Sequence, residues 1–179
     1  MRLEFMSHPK VIRDAHSGDL ESLVDFSLAM ALETEAKHLH RPTLKAGVAG
    51  CLEVPARGFY LIAECDGQAV GSLLVTREWS DWRNGDFWWI QSVYVVPEFR
   101  KKGVFRALYT EARQRAITSD QVCGLRLYVE KHNHSAQSVY RKLDFAETDY
   151  RFFEQAFVDS ENPPAAKSNA PTDSGTPTD

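Results

Sequence analysis

A largely apolar run over residues 59–65 leads into Asp66-Gly67 and is followed by a second run over 68–77. A period of two turns successive side chains to opposite faces of a strand, and Asp-Gly supplies the positive φ values of a two-residue hairpin turn. These residues predict an antiparallel hairpin. Upstream, Val11-Ile12 opens a short strand. Behind Asp19, a capping residue, Leu20, Leu23, Val24, Leu28, Ala31 and Leu32 recur at helical spacing and predict a helix ending near Glu33. A polar stretch over 33–41 leads to Pro42 at a first-turn position. There a shorter helix carries Leu44, Val48, Cys51 and Leu52 on one face.

The middle of the chain has the densest pattern. Residues 90–96 are mostly β-branched or aromatic, and Pro97 stops the strand because it has no N–H for a sheet ladder. Arg100, Lys101, Lys102 and Gly103 follow, and then Val104, Ala107, Leu108 and Ala112 at helical spacing predict a helix to about Ser119. The order is strand, basic loop, helix. A loop entering a helix N-terminus offers unpaired N–H groups and the positive end of the helix dipole, which suits a phosphate or pyrophosphate. Neither a P-loop pattern nor a dinucleotide Gly-x-Gly-x-x-Gly pattern is present.

On either side of this unit the pattern is plainer. Residues 78–86 read as a connecting loop with two tryptophans and Asn84-Gly85 turn chemistry, and Phe87, Trp88 and Trp89 begin the next strand. Leu125, Leu127 and Val129 alternate with Arg126, Tyr128 and Glu130, predicting a strand over 124–130. A helix over 135–143 follows, and then a closing hairpin or strand pair over 146–157. From Val158 on, the chain is rich in Pro, Ser, Thr, Asn, Ala and Asp. That composition buries too little apolar surface to offset ordering entropy, so 158–179 is expected to be a disordered tail.

Composition narrows the class. A chain of 179 residues, 43% hydrophobic, has material for one well-buried core, so 1–157 is expected to be a single domain. A net charge of -4 opposes general nucleic-acid binding and makes Arg100 to Lys102 a local phosphate site. Cys51, Cys65 and Cys123 are widely spaced in apolar contexts and read as buried small hydrophobes, giving neither a disulfide framework nor a metal site. With no apolar run near ~18 residues and no secretory h-region, no membrane contact is expected and the location is expected to be cytoplasmic.

The loop, with its Val95-Val96-Pro97 strand end, Arg100 and Gly103, resembles the acyl-CoA motif of the GNAT superfamily of N-acetyltransferases, Arg/Gln-x-x-Gly-x-Gly/Ala. Phe105 departs from it, standing where Gly or Ala lets backbone approach the pyrophosphate. Downstream, Asn133, Ala136, Tyr140 and Phe145 resemble the family's Asn-x-x-Ala-x-x-x-Tyr-x-x-x-Gly-Phe. Asp144 replaces the Gly there, and Asp tolerates the left-handed conformation such a turn requires.

The resemblance implies an α/β fold: a GNAT-type α/β sandwich with a mixed, mostly antiparallel central sheet that splays at the acyl-CoA site. It implies acetyl-CoA as co-substrate and no metal, with the acetyl group passing to a primary amine of a small molecule or peptide by direct attack in a ternary complex. By the same resemblance, the backbone of Val93, Tyr94 and Val95 pairs with the pantetheine arm. Lys101, Lys102, Gly103, Val104, Phe105 and Arg106 hold the pyrophosphate through their N–H groups, Arg100 or Lys102 adds charge, and Asn133 bonds the cofactor. Tyr140 is the acid for the departing thiolate. A homodimer is left open.

The base is harder to read, because Gln91 stands where many family members have Glu and an amide cannot accept the proton. Glu33, Glu35, Asp86, Glu130, His132 and His134 are the candidates elsewhere in the chain. The acceptor pocket is expected between residues 33–40 and 79–86, with Glu33, Gln91 and Trp82 on its walls. A non-catalytic acyl-CoA-binding protein is the competing reading, leaning on Phe105 and Gln91; a scaffold or nucleic-acid module is disfavoured by the acidic balance.

Overall fold

The computed structural model describes residues 10–157. The expected tail over 158–179 lies outside the described residues. Five strands form one sheet in the order β1-β2-β3-β4-β5, where β1 is Lys10–Asp14, β2 Phe59–Cys65, β3 Gln68–Ser80, β4 Gly85–Val95 and β5 Val122–Leu127. The first four are antiparallel neighbours, while β5 runs parallel to β4 because a helix carries the chain across between them.

The hairpin read from the sequence is present, with Asp66 (φ 50°) and Gly67 (φ 77°) supplying both left-handed residues of its turn. The second hairpin is longer than expected. Trp79 pairs with Asp86 and Ser80 with Gly85, so most of the predicted connecting loop is ladder, and only residues 81–84 turn the chain.

Helices cover both faces. On one side, α3 (Val104–Ile117) buries Val104, Leu108, Tyr109, Ala112 and Ala116 against Leu61, Leu73, Val75, Trp88 and Ile90. On the other, α1 (Leu20–Glu35) and α2 (Arg41–Glu53) pack Leu23, Val24 and Val48 on Tyr60 and Ile62. This arrangement is the mixed α/β sandwich that was expected. The last helix, α4 (His134–Arg141), ends in a turn with Asp144 at φ 65°, where the Phe145 N–H donates to the Tyr140 carbonyl at 3.1 Å. Asp144 therefore takes the left-handed place usually given to glycine.

Several local expectations are corrected. β5 ends at Leu127 instead of reaching Glu130, although the alternation continues. Residues 146–157 form no strand, and Tyr150, Phe153 and Phe157 lie exposed. Asp19 stands at the N-cap of α1 without capping it: its carboxylate is taken by Arg13, at 2.8 Å to each oxygen, and by the His16 N–H. Cys65 is buried and Cys51 half-buried, but Cys123 is exposed on β5, the last strand of the sheet among the described residues.

Candidate active site

The site begins where two strands part. β4 and β5 pair from Asp86 and Val122 as far as Ile90 and Leu127; after that rung β5 stops, and Gln91 to Val95 keep a partner only on the β3 side. Opposite Leu73, β4 carries one extra residue between Gln91 and Tyr94. Such a bulge bends the strand and restores its phase, so Val93 and Val95 pack with Ile90 on the α3 face while Tyr94 meets Phe26 of α1, ring centroids 5.3 Å apart. The result is a V-shaped opening with one wall of unpaired strand backbone.

That wall leads into the basic loop. After a helical turn at Pro97–Phe99, Lys101 (φ 59°) and Gly103 (φ 81°) both adopt left-handed backbone, which swings the chain into α3. The first helical bond runs from the Ala107 N–H to the Gly103 carbonyl at 3.0 Å, and no side chain caps this end. The N–H groups of Val104, Phe105 and Arg106 are thus left over at the positive end of a 14-residue helix, the donor set an anion binds. Phe105 does not obstruct it: its ring lies 6.1 Å from the Tyr109 ring and 6.1 Å from that of Tyr140, turned into an aromatic cluster. These features fit a nucleotide pyrophosphate with an extended arm running along β4.

Tyr140 joins this end of the site through Phe105 and packs edge-on to Phe145, ring centroids 6.0 Å apart. Its hydroxyl makes no hydrogen bond among the described residues. Burial pushes the phenol above its ordinary value near 10, so it holds its proton at neutral pH. Asn133 is the N-cap of α4, its Oδ1 accepting from the Ala136 N–H at 3.0 Å.

Arg100, Glu33 and Tyr94 were assigned three separate tasks from sequence, but they meet. Arg100 Nη2 donates to Glu33 Oε2 at 2.6 Å and its Nε to the Val95 carbonyl at 2.9 Å, while the Tyr94 hydroxyl donates to Glu33 Oε1 at 3.1 Å. Lys102 lies over the Phe99 ring, 5.4 Å from its centroid.

Gln91 sits on the α1 side of the sheet at the mouth of the V, its amide donating to Thr76 Oγ1 at 3.1 Å. Trp82 is not brought to this place. It is 82% exposed at the tip of the β3–β4 hairpin, the full length of β4 away from the loop. Of the other candidate carboxylates, Glu35 pairs with Lys37, and Glu130 accepts from the His132 N–H.

A cluster missed in the sequence lies on the Gln91 face just short of the opening. Glu78 accepts from Arg126 Nη1 at 2.7 Å and from the Trp89 indole N–H, and the Trp89 ring stacks on Tyr128 at 4.3 Å. Desolvation raises the Glu78 carboxyl, but the Arg126 and Trp89 bonds and the Arg126 charge outweigh it, so the net shift is downward. The two-residue spacing of Thr76 and Glu78 was a signal for their shared face, but their register against Trp89 and Arg126 was not legible. Two concave spaces, of about 370 and 340 Å³, lie elsewhere, around Trp88 and Gln121 and around Leu143 and Phe145.

Comparison with known proteins agrees with this geometry. Residues 22–145 match the model of the acetyltransferase (GNAT) family. A possible acetyltransferase from Clostridium difficile 630 is 38% identical, with a TM-score of 0.79 over 84% of this chain and 99% of that one. Two more distant structures share the fold. One is an aminoglycoside N-acetyltransferase, AAC(6')-Iy, in complex with CoA (22% identity, TM-score 0.68, 84% and 96% covered). The other is a ribosomal-protein-alanine N-acetyltransferase from Brucella melitensis biovar Abortus 2308 (18%, 0.66, 83% and 99%). No curated protein matches the chain. Among the described residues no helix is long and apolar enough to cross a membrane. With its parted strands, its open helix N-terminus and a family match over most of its length, the chain belongs to the GNAT family of acetyltransferases.

Proposed function

We propose that the protein moves an acetyl group from acetyl-CoA to a primary amine of a small molecule or peptide, by direct attack with both substrates bound. The observation that carries this is the continuity from the unpaired β4 edge, through the left-handed loop, to the uncapped start of α3, with Tyr140 beside it.

Acetyl-CoA supplies the activated acyl group as a thioester. The N–H groups of Val104, Phe105 and Arg106 bind its pyrophosphate, with Lys101 and Lys102 adding positive charge. The backbone of Val93 to Val95 pairs with the pantetheine arm and orients the thioester at the mouth of the V. As the C–S bond breaks, Tyr140 delivers its hydroxyl proton to the departing sulfur, and the proton lost by the attacking amine passes to solvent water and restores the phenol. Gln91, held by Thr76, orients the acceptor or a water rather than removing a proton.

The test is a calorimetric titration of CoA into the full chain and its Tyr140→Phe variant, with rates on a panel of small and peptide amines. The expected result is CoA binding within twofold of wild type and a kcat lower by roughly 10²–10³-fold. An unchanged kcat removes Tyr140 from the chemistry. Binding of CoA with no acetylated amine in the panel would favour a non-catalytic acyl-CoA binder.

A further inference from the structure

α1 reaches the cofactor loop with two side chains. Phe26 and Glu33 are seven residues apart, two helical turns, and so share a face; Phe26 packs on the Tyr94 ring, and Glu33 spans Tyr94 and Arg100. A carboxylate in the last turn of a helix is disfavoured by the helix dipole. Here it is compensated by Arg100. The Arg100 side chain in turn folds back over the turn that precedes the loop, with Nε on the Val95 carbonyl and the guanidinium carbon 5.5 Å from the Tyr94 ring centroid. The end of β4 and the middle of the segment that leads to α3 are thereby referred to one helix.

We propose that Glu33 is a positioning residue for the cofactor loop: through Arg100 and Tyr94 it fixes the end of β4 and the entry to α3 in the geometry that receives the acyl donor. This inference rests on the acetyl-CoA reading above and differs from it in assigning Glu33 to the donor side rather than to the acceptor amine. Arg100 then acts as a peg between strand and helix, and the leftover N–H groups of α3 do the binding. A consequence follows in the sign of the effect. If Arg100 were a phosphate ligand restrained by Glu33, removing the Glu33 charge would release it and tighten CoA binding. If Arg100 is a peg, the same change loosens the loop and weakens binding.

CoA is titrated calorimetrically into the full chain as wild type, Glu33→Gln, Arg100→Ala and the double variant, and KM for a reactive amine is measured alongside. The expected outcome for Glu33→Gln is a Kd for CoA raised about five- to tenfold, with KM for the amine unmoved and Tm nearly so, because the pair is about 40% exposed and adds little to the fold. Arg100→Ala should give a similar loss, and the double variant no more than the larger single loss. Tighter or unchanged CoA binding in Glu33→Gln overturns the proposal, as do additive losses. A raised KM for the amine at unchanged CoA affinity returns Glu33 to the acceptor site. Absence of CoA binding by the wild type is a separate failure, that of the acetyl-CoA reading itself.

Discussion

Between Phe87 and Ile90, β4 has a neighbour on each side; between Gln91 and Val95 it keeps β3 alone. The first half is Phe-Trp-Trp-Ile, while the second begins with the polar Gln91 and Ser92 before Val93, Tyr94 and Val95. The larger difference lies in the neighbour. β5 stops at Leu127, and the backbone groups of the second half lose their protein partner on that side. The paired half carries Trp88, 8% exposed and edge-on to Phe59, and so anchors the core. The parted half keeps backbone available to a ligand and uses its side chains to hold α1 and α3. An open strand edge of this kind is made by ending its partner strand.

This contrast can be broken by substitution. The largest effect is expected in the paired half: Trp88→Ala should cost about 3–5 kcal/mol, a fall in Tm on the order of 10 °C, with CoA affinity unchanged where the variant remains folded. Calorimetric melting and a CoA titration read both. Loss of affinity without loss of stability would show that the halves do not divide the work. The opposite balance is expected at the far end of the loop. Gly103→Ala places a side chain at φ 81° and should cost about 1–2 kcal/mol in stability. Its CoA affinity should fall on the order of tenfold, because relieving the strain reorients the N–H groups before α3. The smallest effect concerns acid. The folded-state pKa of Glu78 lies below its ordinary value of 4.5, so its contribution to stability is present above that value and is lost as pH falls through the folded one. Urea melts from pH 6 to pH 3 should show a shallower decline for Glu78→Gln than for wild type; parallel curves would mean that Arg126 and Trp89 gain nothing from its charge.

What could be read from the chain was what is local in it. The Asp66-Gly67 hairpin, the strand end at Pro97, the loop into α3 and the left-handed place of Asp144 each depend on residues a few positions apart. The Glu33–Arg100 bridge joins residues 67 apart in sequence, and the Glu78–Arg126 pair residues 48 apart; both depend on strand register and helix placement, which no periodicity encodes. Trp82 shows the same limit from the other side. Its turn chemistry was legible, but the ladder from Trp79 to Asp86 that carries it away from the opening was not. Beyond Leu127 the alternation of apolar and polar residues continues, yet alternation alone does not supply a neighbouring strand.

The extra residue in β4 has a meaning for how this chain can change length. Most insertions or deletions of one residue lengthen or shorten a loop and leave the rest of the molecule in place. Removing one residue between Gln91 and Tyr94 would instead take out the bulge itself: β4 would alternate regularly against β3, with Tyr94 still toward α1 and Val95 still toward α3. Within this strand, a segment in the middle of the sheet could lose a residue as a loop does, at the cost of the bend and not of the faces.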